Sequence, residues 1–410
     1  MILSQRNFQG RSTFIDALRG VAALGVACYH ITRYEPSPQP ARELIPEFLQ
    51  VCFDHAWLGV QVFFVISGFV IAYSVRSARV TPGYFGNYAL RRSIRLDPPY
   101  WTTILFVLLL HAVLHLHLGF DSPLDVPTKL EPALSWELLA SQLCYLQNIL
   151  RYDNLSAGFW TLCIEVQFYI LYVFGLGIAQ RFPARNRRSP ADAGAMGLIV
   201  VFLPLALLSL FEWNRTENGV SVWDNDMWVV RFFCMFFLGA SAWWTLDGRI
   251  PRSLFWLYVA AFAGRIVMQI RQEGLSDNLT IGLSAALAAG LSTYVAGLLG
   301  KLGAWLDFGV LQYLGRISYS LYLVHFPMSH VIMTLGYEIM GTPGPAEGVM
   351  WLSLALVASL AAAHVMYTFV EAPSVRLAAR LKRQPVKPAA APAAAPPPAP
   401  PTPATVAESG

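Results

Sequence analysis

Gly59-Val60-Gln61-Val62-Phe63-Phe64-Val65-Ile66-Ser67-Gly68-Phe69 lies inside an apolar run from 56 to 76 whose one charged residue, Arg76, stands at its end. A helix needs roughly 20 mostly apolar residues to cross a bilayer. This run has the length and the composition, and it alternates with neither the period of a half-buried strand nor that of a surface helix. It predicts a helix that meets lipid or other helices on all sides. The chain around it repeats the pattern. Further runs at about 14–32, 99–119, 160–180, 194–211, 228–246, 254–270, 279–299, 316–337 and 349–371 bring the count to about ten.

Composition agrees. Of 410 residues, 55% are hydrophobic and only 13% charged, where a soluble chain carries about a quarter charged. No hydrophilic segment is long enough to make a separate soluble domain. The expected fold is therefore all-α and polytopic, with a transmembrane domain over 1–375. From 376 to 410 a basic stretch gives way to almost pure Pro and Ala, predicting a disordered cytoplasmic tail. The net charge of +4 is too mild to point to nucleic acid.

Orientation follows from the Lys and Arg in the loops. With a cytoplasmic N-terminus, one side collects 19 of the 29 basic residues, including Arg79, Arg91, Arg92, Arg95, Arg249, Arg252 and Arg376. The opposite side holds Arg33, Arg42, Lys129, Arg151, Arg215 and Arg271, and the rest lie within spans. Both termini are expected to be cytoplasmic. No cleavable leader is apparent, because the first apolar run carries Asp16 and Arg19 and no small-residue cleavage site stands out. No internal repeat supports an inverted-repeat transporter. Trp136 to Leu150 reads as an interfacial or re-entrant helix between the third and fourth spans.

Ionisable residues inside a span are costly, so each needs a reason. Arg19 and His30 are eleven positions apart, which returns them to nearly one helix face about 16 Å apart along the axis. A guanidinium suits phosphate or carboxylate, and an imidazole suits proton transfer. The alternative is that Arg19 snorkels inward while His30 makes an inter-helix hydrogen bond. Glu165 enters the fourth span from the outer side at about the depth of His30, where it could orient that imidazole or bind an acceptor hydroxyl. Arg91, Arg92 and Arg95 precede the third span at the inner surface. On spacing alone, lipid headgroups explain them better than nucleotide phosphates do.

Three further features are read more plainly. Ser67-Gly68 at mid-depth invites close approach of another helix or a slender substrate, and Ser67 lacks the strand–turn–helix setting of a nucleophile. His325 precedes Pro327 in a serine- and tyrosine-rich helix that could wall a polar cavity. His111, His115 and His117 have partial metal spacing but no acid in that span, so they are read as interfacial, with no metal expected. The five cysteines show no CxxC. Each is expected to be a free thiol, although Cys52 and Cys144, both outside the membrane, could pair.

Taken in order, these residues resemble the membrane-bound acyltransferase-3 family, whose members acylate lipopolysaccharide, exopolysaccharide, nodulation factors and macrolides. The matching blocks are Arg19 with His30; Phe63-Phe64-Val65-Ile66-Ser67-Gly68-Phe69; Arg92 and Arg95 before Pro98; and Trp160-Thr161-Leu162 with Glu165, Phe168 and Tyr169. Gly315-Arg316-Ile317-Ser318-Tyr319-Ser320-Leu321-Tyr322-Leu323-Val324-His325 follows, and Glu371 with Pro373 closes the last span. One position departs: where the family usually has an aromatic residue after the Arg95-Leu96 pair, Asp97 sets an acid beside the basic cluster.

The resemblance implies transfer of an acetyl group from cytoplasmic acetyl-CoA to a carbohydrate hydroxyl, by a multi-pass protein of a bacterial inner membrane. It implies His30 as general base and Glu165 as its orienting or acceptor-binding partner. Arg19, Arg92, Arg95, Ser67, Tyr322 and His325 would then form the acyl-CoA path. Succinyl or another acyl group, a macrolide acceptor, or lipid-linked sugar transport are the alternatives. No hydrolase-like domain follows the last span here, unlike in some relatives. Acceptor choice is therefore expected from the bundle, from its outer loops (residues 120–158 above all), or from a separate acceptor-handling protein.

Overall fold

The computed structural model describes residues 12–33, 39–118, 135–182, 193–213, 228–381 and a two-residue strand pair, Thr216–Glu217 with Val220–Ser221. The tail from 382, Arg6, Arg11, Lys129, Arg215 and the arginines at 185–188 lie outside the described residues, as do the side chains of His115 and His117.

Among the described residues the long helices are ten: α1 Thr13–Arg33, α2 Gly59–Ser74, α3 Pro82–Leu118, α4 Phe159–Ala179, α5 Ala195–Leu208, α6 Val229–Leu246, α7 Arg252–Glu273, α8 Asn278–Leu298, α9 Gly309–Met340 and α10 Pro345–Met366. Among the described residues, nine helices are long and apolar enough to cross a membrane. The tenth, α9, has 32 residues, but the Ser, Tyr and His on its buried side dilute its apolar character. Leu105, Leu109, Phe174, Leu257 and Val357 are more than half exposed, forming the apolar outer surface that lipid would cover. After α10 the chain passes a wide turn, Tyr367–Glu371, and a short helix, Ala372–Arg380, which runs past the boundary expected at 375.

Two axes of contact organise the bundle: α9 packs along α1 and α10, and α2 packs along α6. The second depends on glycine. A Cβ on Gly68 would sit 1.9 Å from the Phe236 carbonyl oxygen, and one on Gly239 the same distance from that of Val65. The helix that Gly68 admits is therefore α6. Around this crossing, Phe64, Phe168, Phe233 and Phe236 interlock, with Phe168 and Phe236 stacked at 3.9 Å.

The large departure from expectation is α3. The third span reads from the sequence as starting at 99, yet the helix begins at Pro82 and runs through Pro98 and Pro99. Each proline removes one backbone donor. Polar side chains gather at the break: Thr102 and Thr103 donate to the carbonyls of Pro98 and Pro99 (2.7 and 2.9 Å), and Tyr319 donates to that of Leu96 (2.9 Å). At 37 residues and 1.5 Å per residue, α3 is about 55 Å long, more than the bilayer's hydrocarbon core. Its first half thus carries the arginines into the bundle. The stretch from Trp136 is two short helices, Trp136–Leu143 and Gln147–Leu150. Gln147 and Asn148 donate to the carbonyls of Phe159 and Trp160 at the entrance of α4. All five cysteines are free.

Candidate active site

A cavity of about 860 Å³ opens between α1, α2, α3, α4 and α9. Arg19, Ser67, Arg92, Arg95, Glu165 and Tyr322, all selected from the sequence, line it together. Tyr169, Ser318, Tyr319 and Glu371 complete its polar wall. His30 and His325 do not line it.

The polar centre is built on Glu165. Ser67 Oγ donates to Glu165 Oε1 at 2.7 Å, and Tyr169 Oη donates to the same oxygen. Arg92 Nη2 lies 3.8 Å away, and the Arg92 guanidinium sits 3.6 Å above the Tyr169 ring. Glu165 and Tyr169 are one turn apart on α4, so both face α3. This geometry corrects two readings. Arg92 is not a headgroup anchor, because α3 continues inward through its prolines and turns that side chain onto α4. Glu165 does not orient His30, because its carboxylate is taken by Ser67, Tyr169 and Arg92.

Asp97 is also settled by geometry. Ser93 Oγ and Tyr145 Oη donate to its two oxygens, the latter at 3.1 Å. The hydrogen bonds of this acid thus go to Ser93 and Tyr145 and not to the arginines. Glu371, by contrast, faces the cavity. It is 6% exposed and accepts from the Ser320 N–H and Oγ at 3.2 and 2.6 Å. Sequence reasoning passed it over as a closing-block residue; a lone carboxylate at the end of the last span, two residues before Pro373, was the available signal.

Beyond the cavity lies a second polar group. His30 Nδ1 and His325 Nε2 are 2.7 Å apart, with the rings nearly parallel at 5.0 Å. His325 is wholly buried and His30 is 9% exposed. His325 Nδ1 lies 3.0 Å from the Leu321 carbonyl oxygen. Arg19 lines the cavity, whereas His30, eleven residues further along α1, meets His325 of α9.

Tyr322 stands between the two groups. Its ring lines the cavity and lies 5.9 Å from that of His325. Thr161 Oγ1 and Tyr322 Oη are 2.7 Å apart, and Phe63 meets the ring edge-on at 5.7 Å. Gly158 is the seat for this ring, since a Cβ there would come within 3.0 Å of it. Among the described residues, no group of three or more His, Cys, Asp or Glu is arranged to hold a metal.

The chain is 23% identical over 386 residues to a Bacillus subtilis (strain 168) protein provisionally named a peptidoglycan O-acetyltransferase, YrhL, covering 88% of this chain and 54% of that one. It is 27% identical over 402 residues to acyltransferase MdmB of Streptomyces mycarofaciens, covering 91% and 93%. It is 24% identical over 379 residues to O-acetyltransferase OatA of Staphylococcus aureus (strain NCTC 8325 / PS 47), covering 88% and 56%. The chain thus spans about half the length of YrhL and of OatA. No solved structure matches it significantly. Residues 12–368 match the family described as "Acyltransferase domain", so nearly the whole bundle, with Arg19, Arg92, Arg95 and the histidine pair, belongs to the acyltransferase-3 family.

Proposed function

We propose that this protein moves an acetyl group from cytoplasmic acetyl-CoA to a hydroxyl of a carbohydrate acceptor, as a multi-pass protein of a bacterial inner membrane with both termini in the cytoplasm. The observation that carries the reading is the cavity itself, which gathers three guanidinium groups and ends at a tyrosine in contact with the histidine pair. Arg92 Nε is buried and has no hydrogen-bond partner, and a buried donor of that kind fits an anionic oxygen. Arg19 and Arg95 supply further positive charge on the same wall. The O-acetyltransferase names of two relatives favour acetyl over a longer group.

In this reading Arg19, Arg92 and Arg95 hold the phosphates at the cytoplasmic end. Ser67, Glu165 and Tyr169 hold Arg92 in place, and Glu371 balances the local charge. Thr161 and Tyr322 lie where the thioester would approach. His30 takes the proton of the acceptor hydroxyl as its oxygen attacks the acyl carbon, the C–S bond breaks, and the proton passes to the departing thiolate. Acceptor choice falls to the outer segment at 120–158 or to a separate acceptor-handling protein.

The test is consumption of labelled acetyl-CoA by the purified protein in lipid bilayers, together with mass spectrometry of surface glycans from cells with and without it. Acetyl-CoA turnover and a glycan mass gain, both lost in His30→Ala, are expected. Movement of a lipid-linked sugar without either would replace the enzyme by a transporter.

A further inference from the structure

The two contacts of His325 determine which nitrogen of His30 can act. A backbone carbonyl only accepts hydrogen bonds, so the 3.0 Å contact between His325 Nδ1 and the Leu321 oxygen requires the proton on Nδ1. The pair is buried, with Phe326 meeting the His30 ring edge-on at 5.6 Å. A resting charge there would cost several kcal/mol, so both rings are neutral. His325 Nε2 then carries a lone pair and can only accept. The 2.7 Å contact therefore has His30 Nδ1–H as donor, which leaves the lone pair of His30 on Nε2. The sense of the whole chain follows from one peptide oxygen of α9, and Ser359 Oγ, 3.3 Å from the His325 carbonyl, ties that turn of α9 to α10.

We infer that His325 is a positioning residue that locks His30 in the Nδ1–H tautomer, so that Nε2 is the atom that accepts the proton of the acceptor hydroxyl. The inference rests on the reading of His30 as the general base. When Nε2 gains its proton, the cationic ring keeps donating Nδ1–H to His325, whose own proton stays on the Leu321 carbonyl. The positive charge is thus met by an aligned pair of dipoles, and no proton crosses between the two rings. An orienting group of this kind sets the tautomer through the hydrogen bond made by the other ring nitrogen. Here a histidine fills the place that a buried acid fills in serine-protease triads.

The experiment is solid-state 15N NMR of 15N-histidine-labelled full-length protein in lipid bilayers, the His30 signals being identified by their loss in His30→Gln. The wild type should show His30 protonated on Nδ1, and His325→Leu should move that proton to Nε2. In parallel, His325→Leu should lower kcat by about 10²-fold with an unchanged KM for acetyl-CoA, as expected for loss of a correctly poised base. His325→Gln, whose amide oxygen can still accept from Nδ1–H, should recover activity to within about tenfold of wild type. His30 protonated on Nε2 in the wild type, an unaltered tautomer in His325→Leu, or equal losses in the Gln and Leu variants would each overturn the inference. If instead His30→Gln transfers acetyl groups normally, the general-base reading is what fails, and the spectra still report the tautomer.

Discussion

Around Glu165 the charged groups are half-buried and shared: one carboxylate serves a serine, a tyrosine and an arginine, and that arginine also rides on an aromatic face. Around His30 the groups are buried, and its ring meets His325 in a single 2.7 Å contact. The first arrangement tolerates an incoming anion because several partners can re-divide their bonds. The second permits one hydrogen-bond direction only. A binding region and a reacting region make these opposite demands, and Tyr322, touching both, marks the boundary.

The largest test of that contrast is His30→Ala. Acetyl transfer should fall by about 10²–10⁴-fold in kcat, with acetyl-CoA binding retained when measured by isothermal titration. A rise in the dissociation constant with little change in kcat would reverse the roles of the two regions. Next comes Arg92→Ala, which should raise KM for acetyl-CoA by about 10- to 100-fold, the worth of a charged hydrogen bond. Arg92→Lys should not restore it, since an ammonium cannot both lie over Tyr169 and reach Glu165 as a planar guanidinium does.

Gly239→Ala probes the scaffold that both regions share. A Cβ 1.9 Å from a carbonyl oxygen must push α2 and α6 apart, costing about 1–3 kcal/mol, so thermal unfolding in detergent should begin several degrees lower. Tyr322→Phe removes the contact with Thr161 and should lower kcat about three- to tenfold, the net value of one hydrogen bond, leaving KM in place. The smallest effect belongs to Asp97→Asn. Because Ser93 and Tyr145 hold that acid, KM for acetyl-CoA should shift by less than about twofold, as for residues outside the binding network. A large fall in KM would mean that Asp97 does offset the arginines.

Much of this was readable before any coordinates. Runs of apolar residues must be helices in lipid, because an unpaired backbone group there costs several kcal/mol. The ends of α1, α4, α6 and α8 accordingly fall within a residue or two of the runs at 14–32, 160–180, 228–246 and 279–299. The start of α3 was not readable, because Pro98-Pro99 is a local stop signal that the hydroxyls of Thr102, Thr103 and the distant Tyr319 offset. The same limit explains the misplaced partner of Glu165. Depth along a helix follows from counting residues, but azimuth depends on which neighbour the helix meets.

The sequence by itself determined the membrane class, the helix count and the set of polar residues worth attention, because hydropathy and spacing act over a single turn or a single span. Only the tertiary structure decided how those residues divide. Glu165 goes to Arg92 and His30 to His325, since α4 packs toward α3 while α1 runs along α9. Such pairings are set by helix rotation and crossing, which depend on contacts between segments up to three hundred positions apart, and no local pattern encodes them.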